Sequence, residues 1–549
     1  MKAGTEESRL PERLPLLVLM SVAGLVRLSA LMHPERLVWG DEPFYLWLGR
    51  NWLTGRGYSF TGYSDVHHTP LYPLLSGLLY LLTNNLELAS NICYLLFGVL
   101  LLLPVFCFAR ELYGKSAGYA TVALLAVHPA VATAPAFWGT LTEPPYYFFV
   151  YTGLWLVLLA MRRDEVRFYA GAGICFGLAY LTRPEAIAYV AVALAVLVVV
   201  RLAEGRLLQR ATLSRLTVYG CAFLLLFLPY AFYVYQETGS WMVSEKAGVT
   251  FVTCLGLSEG DTRAFDEATW GLDTTGCEVF FFSRESYDVS MFDVIRAYPA
   301  EFVQLLVRNA RRFLGSLLST RLLSYYLLPL LGLALFRSVW DRSRAKGELL
   351  LLASLAPVLV FLLFFVQDRY IATLMPTLLI WLGLGVHELG TWFGDTWQSL
   401  TGRILRNRGR TAAYTMPVIL LVLLLVSLQP KAVALYTSTD SFRVEHRTVG
   451  YWLRNNIPTD SVVMSRYPAI AFYGEARWEP TPNAGWEQML VYARAQSVDY
   501  FVLDEMETHD LRPQYAFLFD QDQVPDELSL VHLDATGEDR LAVFRVNPR

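Results

Sequence analysis

Long apolar runs, separated by short polar connections, fill most of the chain up to about residue 430. Windows long enough to cross a hydrocarbon core of roughly 30 Å predict eleven membrane-spanning segments. These lie near residues 14–32, 88–109, 116–134, 146–161, 168–182, 186–200, 216–235, 320–337, 349–366, 371–388 and 413–428. A further apolar stretch at 70–83 is short and contains prolines, so it predicts an interfacial helix.

The pattern changes after residue 430, where short β-branched runs alternate with amphipathic segments. This alternation is typical of a small layered α/β module. It predicts helices near 442–455 and 485–496 and strands near 461–465, 499–504 and 541–546.

We therefore divide the chain into two parts. A membrane domain (1–429) has large external loops at 33–87 and 236–319, and a soluble α/β domain (430–549) follows it. The fold class that this predicts is an α-helical polytopic membrane protein with a small C-terminal extracytoplasmic α/β domain.

Composition supports the membrane assignment. Of the 549 residues, 54% are apolar and only 17% are charged, whereas soluble domains carry about 25% charged residues. The mean hydropathy is +0.37. The formal net charge of −4 excludes a strongly basic protein that binds nucleic acid.

Basic residues in alternate connections predict the orientation, because short cytoplasmic loops collect Lys and Arg. The N-terminus is then cytoplasmic, and eleven spans leave the C-terminus outside. The first span has no small-residue cleavage site and is interpreted as an uncleaved anchor. We expect a multi-pass protein of the cytoplasmic (inner) membrane. Cys254 and Cys277 lie in the long external loop, where oxidation is permitted, and form a candidate disulfide; two buried thiols are the alternative.

Ionisable side chains at the outer ends of spans are costly unless they are used or paired. Asp41 and Glu42 follow the first span directly, within LVWGDEPFYLW, and His67 and His68 stand just before the interfacial stretch. Asp41 would equally suit a helix N-cap, and Glu42 would suit the first turn of that helix. Arg27, inside the first span, is expected to pair with an acid of the first loop.

Other charged residues fall at the same membrane face. Glu143 follows the third span, Arg183 and Glu185 follow the fifth, and Asp368 and Arg369 follow the ninth. Arginine binds phosphate oxygens bidentately, and a carboxylate can act as a general base. This set suits a reaction in which a lipid-linked phosphate leaves. In a plainer interpretation both arginines snorkel or pair with their neighbouring acids.

Four short motifs, WGDEPFY, TEPP, LTRPE and DRYIATLMP, follow spans one, three, five and nine. In their order along the chain and their common side of the membrane, these motifs resemble those of the polyprenyl-phosphate-dependent membrane glycosyltransferases of the GT-C type. The resemblance covers roughly residues 14–385. The nearest branches are the dolichyl-phosphate-mannose protein mannosyltransferases and the lipid A aminoarabinose transferases. The resemblance implies a GT-C fold with about eleven transmembrane helices and an inverting glycosyltransferase activity.

The resemblance also implies roles for the acids. Asp41 matches the family's catalytic base, Glu42 beside it would orient the acceptor, and Glu143 matches the acid of the second external loop. The acceptor, a protein, lipid or glycan, would attack the anomeric carbon as polyprenyl phosphate departs.

The same resemblance places Arg183, Arg369 and Tyr370 near the lipid phosphate. His67 and His68 replace an acid–lysine pair of the aminoarabinose transferases and are therefore candidates for substrate contact. The large external domain of the protein mannosyltransferases is absent. Adjacent histidines point apart, so no metal site is indicated; a divalent metal is possible, and a lipid-linked sugar donor is the only small molecule implied.

A membrane transporter or lipid flippase is the alternative function. Such proteins need ionisable residues or broken helices near the bilayer midplane. Here the charges stand at the outer rim, which favours an enzyme facing the membrane surface.

Overall fold

The computed structural model describes residues 10–60, 64–244, 262–288, 291–319, 321–337, 339–401, 443–537 and 539–548. Helices dominate up to residue 401. The first are α1 (Leu10–Leu31), α2 (Glu42–Leu53), α3 (Leu71–Thr83), α4 (Leu86–Leu100), α5 (Leu102–Tyr113), α6 (Lys115–Val127), α7 (Pro129–Ala132), α8 (Glu143–Arg163), α9 (Val166–Thr182), α10 (Ile187–Ala203) and α11 (Arg210–Thr238). They are followed by the helices Thr262–Trp270, Met291–Ala297, Pro299–Leu317, Leu328–Phe336, Arg342–Ala353, Asp368–Ile371 and Met375–Thr401.

Seven helical segments of the described chain are long and apolar enough to cross a membrane. They are Leu14–Leu31, Leu86–Tyr113, Glu143–Arg163, Pro184–Ala203, Arg210–Thr238, Arg342–Leu363 and Asp368–Phe393. Shorter apolar helices, Lys115–Val127, Val166–Thr182 and Tyr325–Phe336, fall on three more predicted spans. The predicted span 413–428 lies outside the described residues, so the count of eleven stays a prediction. The multi-pass helical architecture itself is confirmed.

Small residues allow the bundle to pack closely around α8 and α9. A Cβ added to Gly153 of α8 would meet the Phe176 ring of α9 at 2.8 Å. One added to Gly173 of α9 would meet the Tyr219 carbonyl oxygen of α11 at 2.4 Å. Membrane helices associate through such close approaches. They fix the ends of α8 and α9, where the candidate site lies.

The C-terminal part is a five-stranded mixed sheet with helices. Its strands are β1 (Val462–Ser465), β2 (Arg477–Pro480), β3 (Tyr500–Asp504), β4 (Leu528–Asp534) and β5 (Leu541–Val546). The order is β2-β1-β3-β5-β4, with β1 parallel to β2 and β3 and with β5 antiparallel to β3 and β4. Its helices are Val444–Asn456, Pro468–Tyr473, Trp486–Ala495 and Glu505–Asp510. The predicted strands β1, β3 and β5 are confirmed, and β2 and β4 are additional.

The sheet module contacts the loop that follows α1 directly. The Val38 amide donates to the Tyr473 hydroxyl at 2.8 Å, and Arg447 donates to the carbonyl oxygens of Pro34 and Arg36 at 2.9 and 3.0 Å. The module and the first loop therefore lie at the same end of the bundle. The predicted domain boundary at 429/430 lies outside the described residues, so the division into two domains stays a prediction.

Candidate active site

Asp41 stands immediately before α2, at its N-cap position, but its side chain makes no capping hydrogen bond to that helix. The segment around it is held by a close backbone approach. Gly40 and Gly139 have φ of +62° and +68°, and a Cβ on Gly139 would meet Trp39 at 2.9 Å. The Glu42 amide donates to the Gly139 carbonyl at 2.8 Å. Glycine is required here for conformation and for space, and the contact sets Asp41 beside the loop that leads into α8.

Glu42 lies in a fully buried ion pair. Its Oε1 accepts from Arg36 Nη2 at 2.7 Å and from the Ser90 hydroxyl at 2.9 Å, and the two charged residues are 0% and 2% exposed. Burial raises the pKa of the Glu42 carboxyl, and the charge of Arg36 opposes that shift. These contacts favour an anchoring role, in which the pair fixes the start of α2 next to Asp41.

Glu143 is the first residue of α8 and is also buried. The Thr140 hydroxyl donates to its carboxylate oxygens at 2.8 Å, and Arg183 Nη1 donates to Oε1 at 2.9 Å. Between Thr140 and Glu143, Leu141 adopts a left-handed φ of +53°. Such backbone strain persists only where surrounding contacts maintain it, and the turn delivers the carboxylate to the arginine.

Arg183 joins three elements of the site. It donates to Glu143 and Glu185, and to the Thr142 hydroxyl at 3.1 Å. Burial alone would lower the pKa of Arg183, but the carboxylates of Glu185 and Glu143 raise it, so the guanidinium is charged. The Thr69 hydroxyl donates to the carbonyl of the preceding residue, Thr182, at 2.8 Å and ties the first loop to this turn.

Arg369 makes no ion pair with a carboxylate among the described residues. Its Nη2 donates to the Tyr370 hydroxyl at 2.9 Å, and its buried Nε has no hydrogen-bond partner in the described part of the chain. The neighbouring acid, Asp368, pairs instead with Arg321 at 3.6 Å. The charges of Glu143 and of Asp41 act on Arg369 over a longer range.

Tyr370 contacts both arginines. The guanidinium carbons of Arg183 and Arg369 are 5.4 and 4.9 Å from the centre of its ring. Phe361 stacks on the same ring at 4.0 Å. Cation–π contacts of this kind hold both guanidinium groups near one another.

The two histidines make aromatic contacts, and His68 also contacts a carboxylate. His68 Nδ1 lies 3.1 Å from both oxygens of Asp65, and its ring meets Tyr45 edge-on at 4.8 Å. Burial and the nearby Asp41 carboxylate raise the pKa of Tyr45, so its phenol is protonated at neutral pH. The His67 ring packs on Phe281 at 4.9 Å.

The structure thus brings four of the sequence-predicted residues, Glu143, Arg183, Arg369 and Tyr370, into one connected cluster, and the charge of Asp41 acts on it. Glu42 faces away into its ion pair with Arg36, which sequence reasoning missed. Cys277 is exposed, and Cys254 lies outside the described residues, so the disulfide stays a prediction. No group of three or more His, Cys, Asp or Glu residues that could hold a metal ion occurs within the described ranges.

One sequence family matches part of this chain. Residues 67–233 match the family described as dolichyl-phosphate-mannose-protein mannosyltransferase. No curated protein sequence matches the chain.

Several solved structures share the fold. The apo oligosaccharyltransferase of Archaeoglobus fulgidus has a TM-score of 0.60 at 16% identity, over 94% of this chain and 73% of that one. The archaeal oligosaccharyltransferase AglB from Archaeoglobus fulgidus, in complex with an inhibitory peptide and a dolichol-phosphate, has a TM-score of 0.56 at 15% identity, over 95% of this chain and 74% of that one. ArnT from Cupriavidus metallidurans, bound to undecaprenyl phosphate, has a TM-score of 0.55 at 14% identity, over 97% of this chain and 99% of that one.

At these identities the structural likeness shows the fold, which is that of the GT-C membrane glycosyltransferases. The resemblance to the GT-C superfamily, first seen in four short motifs, is confirmed by the family match and by the fold together. At a coarse level these findings support an enzyme that transfers sugar from a lipid-linked donor.

Proposed function

We propose that this protein is an inverting glycosyltransferase that moves a sugar from a polyprenyl-phosphate-linked donor to a protein, lipid or glycan at the outer face of the membrane. The observation that carries the proposal is one cluster in a GT-C fold. In it, two guanidinium groups share the Tyr370 ring, and the charges of Glu143 and Asp41 act on Arg369. Cations for a phosphate and carboxylates for a proton thus lie together.

In the proposed reaction, an acceptor hydroxyl or amine attacks the anomeric carbon from the face opposite the phosphate. The bond between that carbon and the phosphate oxygen breaks, and its electron pair stays on the departing polyprenyl phosphate. Asp41 takes the acceptor proton, since a carboxylate positioned at the nucleophile serves as a general base. Attack from the opposite face inverts the anomeric centre.

Arg369 is the better candidate of the two arginines for first contact with the donor phosphate, because carboxylates already occupy Arg183. Stabilising charge on a leaving phosphate is the work for which arginine is suited. The ligands bound in two structural neighbours, a dolichol-phosphate and undecaprenyl phosphate, support a donor of this class. We further propose an inner-membrane location with the C-terminal module on the outer side.

The experiment that tests this function supplies the purified protein in proteoliposomes with a panel of polyprenyl-phosphate sugars and a panel of protein, lipid and glycan acceptors, and measures release of polyprenyl phosphate. We expect release that depends on the donor and falls in Arg369→Met, which leaves the phosphate without its cation. The matched control is Arg167→Met. Arg167 is exposed, pairs with Glu165, and lies at the end of α9 opposite to Arg183. If no polyprenyl-phosphate sugar is bound or consumed, the proposal is wrong.

A further inference from the structure

Arg183 contacts more negative charge than it can neutralise. Its Nη1 donates to Glu143 at 2.9 Å, and its Nε donates to Glu185. The three side chains together carry a net charge of −1 when all are ionised. A phosphodiester binding at this arginine would add another negative charge, and carboxylates and phosphates compete for the same guanidinium donors.

The two carboxylates are fixed to different degrees. Glu143 is 2% exposed, begins a long helix and is also bonded by Thr140 through both oxygens. Glu185 is 16% exposed and lies on a three-residue turn, Pro184–Ala186, and Arg183 is the hydrogen-bond partner of its carboxylate within the described chain. Glu185 is therefore the carboxylate that can leave the arginine at the smaller cost.

The neighbouring Arg369 differs from Arg183, since no carboxylate of the described residues pairs with it. Both guanidinium groups contact Tyr370. A phosphate held by Arg369 would thus lie beside Arg183 and within its electrostatic reach, and would compete with Glu185 for the Nε edge.

We propose that Glu185 is a positioning residue that competes with the donor phosphate for Arg183, so that it lowers donor affinity and speeds release of the lipid phosphate. This inference rests on the proposed function. Donor binding displaces Glu185 from Arg183. After the sugar–oxygen bond breaks, the phosphodiester has become a monoester with a charge of about −1.5 to −2, and Glu185 returns to Arg183 as that product leaves.

The test compares Glu185→Gln with the wild-type full-length protein in nanodiscs, using undecaprenyl phosphate as the probe. Binding is measured as the ligand-induced rise of each variant's own unfolding temperature, since a ligand of the folded state stabilises it. We expect Glu185→Gln to bind on the order of tenfold more tightly, because a like charge no longer faces the phosphate. The matched control, Glu165→Gln, removes an exposed carboxylate beside Arg167 and should bind like the wild type.

Turnover separates competition from a merely structural role. Glu185→Gln should lower the donor KM and also lower kcat, because the product phosphate is retained. A structural defect would raise the KM, or leave it unchanged while kcat falls. Glu185→Ala, which lacks any side-chain oxygen, should repeat the tighter binding if Glu185→Gln folds poorly.

The failure of this inference is distinguishable from that of the function. Binding by Glu185→Gln and Glu185→Ala no tighter than by Glu165→Gln, in a protein that still transfers sugar, overturns the inference alone. A wild-type protein that neither binds undecaprenyl phosphate nor consumes any donor overturns both.

Discussion

Removing the charge of Glu42 separates an anchoring role from a chemical one. Glu42→Gln keeps the size of the side chain but leaves Arg36, only 2% exposed, without its counter-charge. Arginine does not lose its proton in proteins, so the variant keeps an uncompensated buried cation. Breaking a buried ion pair from one side costs about 3–5 kcal/mol. We expect the free energy of unfolding to fall by that amount.

The opposite variant, Arg36→Met, should behave differently with pH. It leaves the buried Glu42 carboxyl without Arg36. Burial raises the pKa of this carboxyl, and the charge of Arg36, which opposes that rise in the wild type, is then gone. When the pKa of a carboxyl is higher in the folded than in the unfolded state, the protein's free energy of unfolding falls as pH rises from the unfolded pKa, 4.5, towards the folded one. Arg36→Met should therefore be less harmful at about pH 5 than at about pH 8, and Glu42→Gln should be equally harmful at both.

The assay is equilibrium unfolding of the purified protein in mixed lipid–detergent micelles, at both pH values. The double variant Arg36→Met with Glu42→Gln is the control, because removing both charges should recover much of the lost stability. A Glu42→Gln protein that unfolds like the wild type but loses transfer would contradict the anchoring role and make Glu42 a chemical participant.

Three further predictions concern local contacts. Gly139→Ala should reduce transfer far more than Gly205→Ala, as measured by the transfer rates of both variants. Both glycines have a positive φ (+68° and +67°), but only at Gly139 would the added Cβ meet Trp39, at 2.9 Å. Thr69→Val removes the hydrogen bond to the Thr182 carbonyl and should cost about 1 kcal/mol of stability and raise the donor KM, as measured by unfolding and kinetics. Burial raises the pKa of Glu479 to about 7 from 4.5, so the free energy of unfolding of the wild type falls as pH rises through that window. Glu479→Gln should therefore be about 3 kcal/mol more stable than the wild type above the window and little different below it, as measured by unfolding at a series of pH values.

Hydropathy predicted the helices well because membrane helices must satisfy their backbone internally over a long apolar run. Strands β1, β3 and β5 were recognisable from their β-branched residues. Strand β2 (RWEP) was not, since it contains proline and depends on pairing with β1. Strand β4 lies at the sheet edge, and Ser529, His532 and Asp534 interrupt its apolar residues, so its sequence pattern was weak.

The site was foreseeable as a set of positions, but its contacts were not. Motif order indicated that Glu143 and Arg183 share one membrane face, whereas the pairing of Glu42 with Arg36 depends on the path of the first loop. The expectation for Arg27 was wrong: it donates to the carbonyl oxygens of Ala23, Ala126 and Val131 rather than to an acid. The carbonyls of Ala126 and Val131 lie near the ends of α6 and α7, where helices leave carbonyl groups without intrahelical partners. A sequence does not show that such carbonyls, rather than an acid, will meet a buried arginine.

The most direct measurement of the central claim is sugar transfer by Asp41→Asn, with donor binding measured on the same sample. We predict that donor binding stays close to that of the wild type while turnover falls by about 10²- to 10⁴-fold, since the general base is lost. Asp368→Asn, whose acid pairs with Arg321 at the rim of the cluster, is the matched control and should retain turnover. Turnover by Asp41→Asn equal to that of Asp368→Asn would contradict the account.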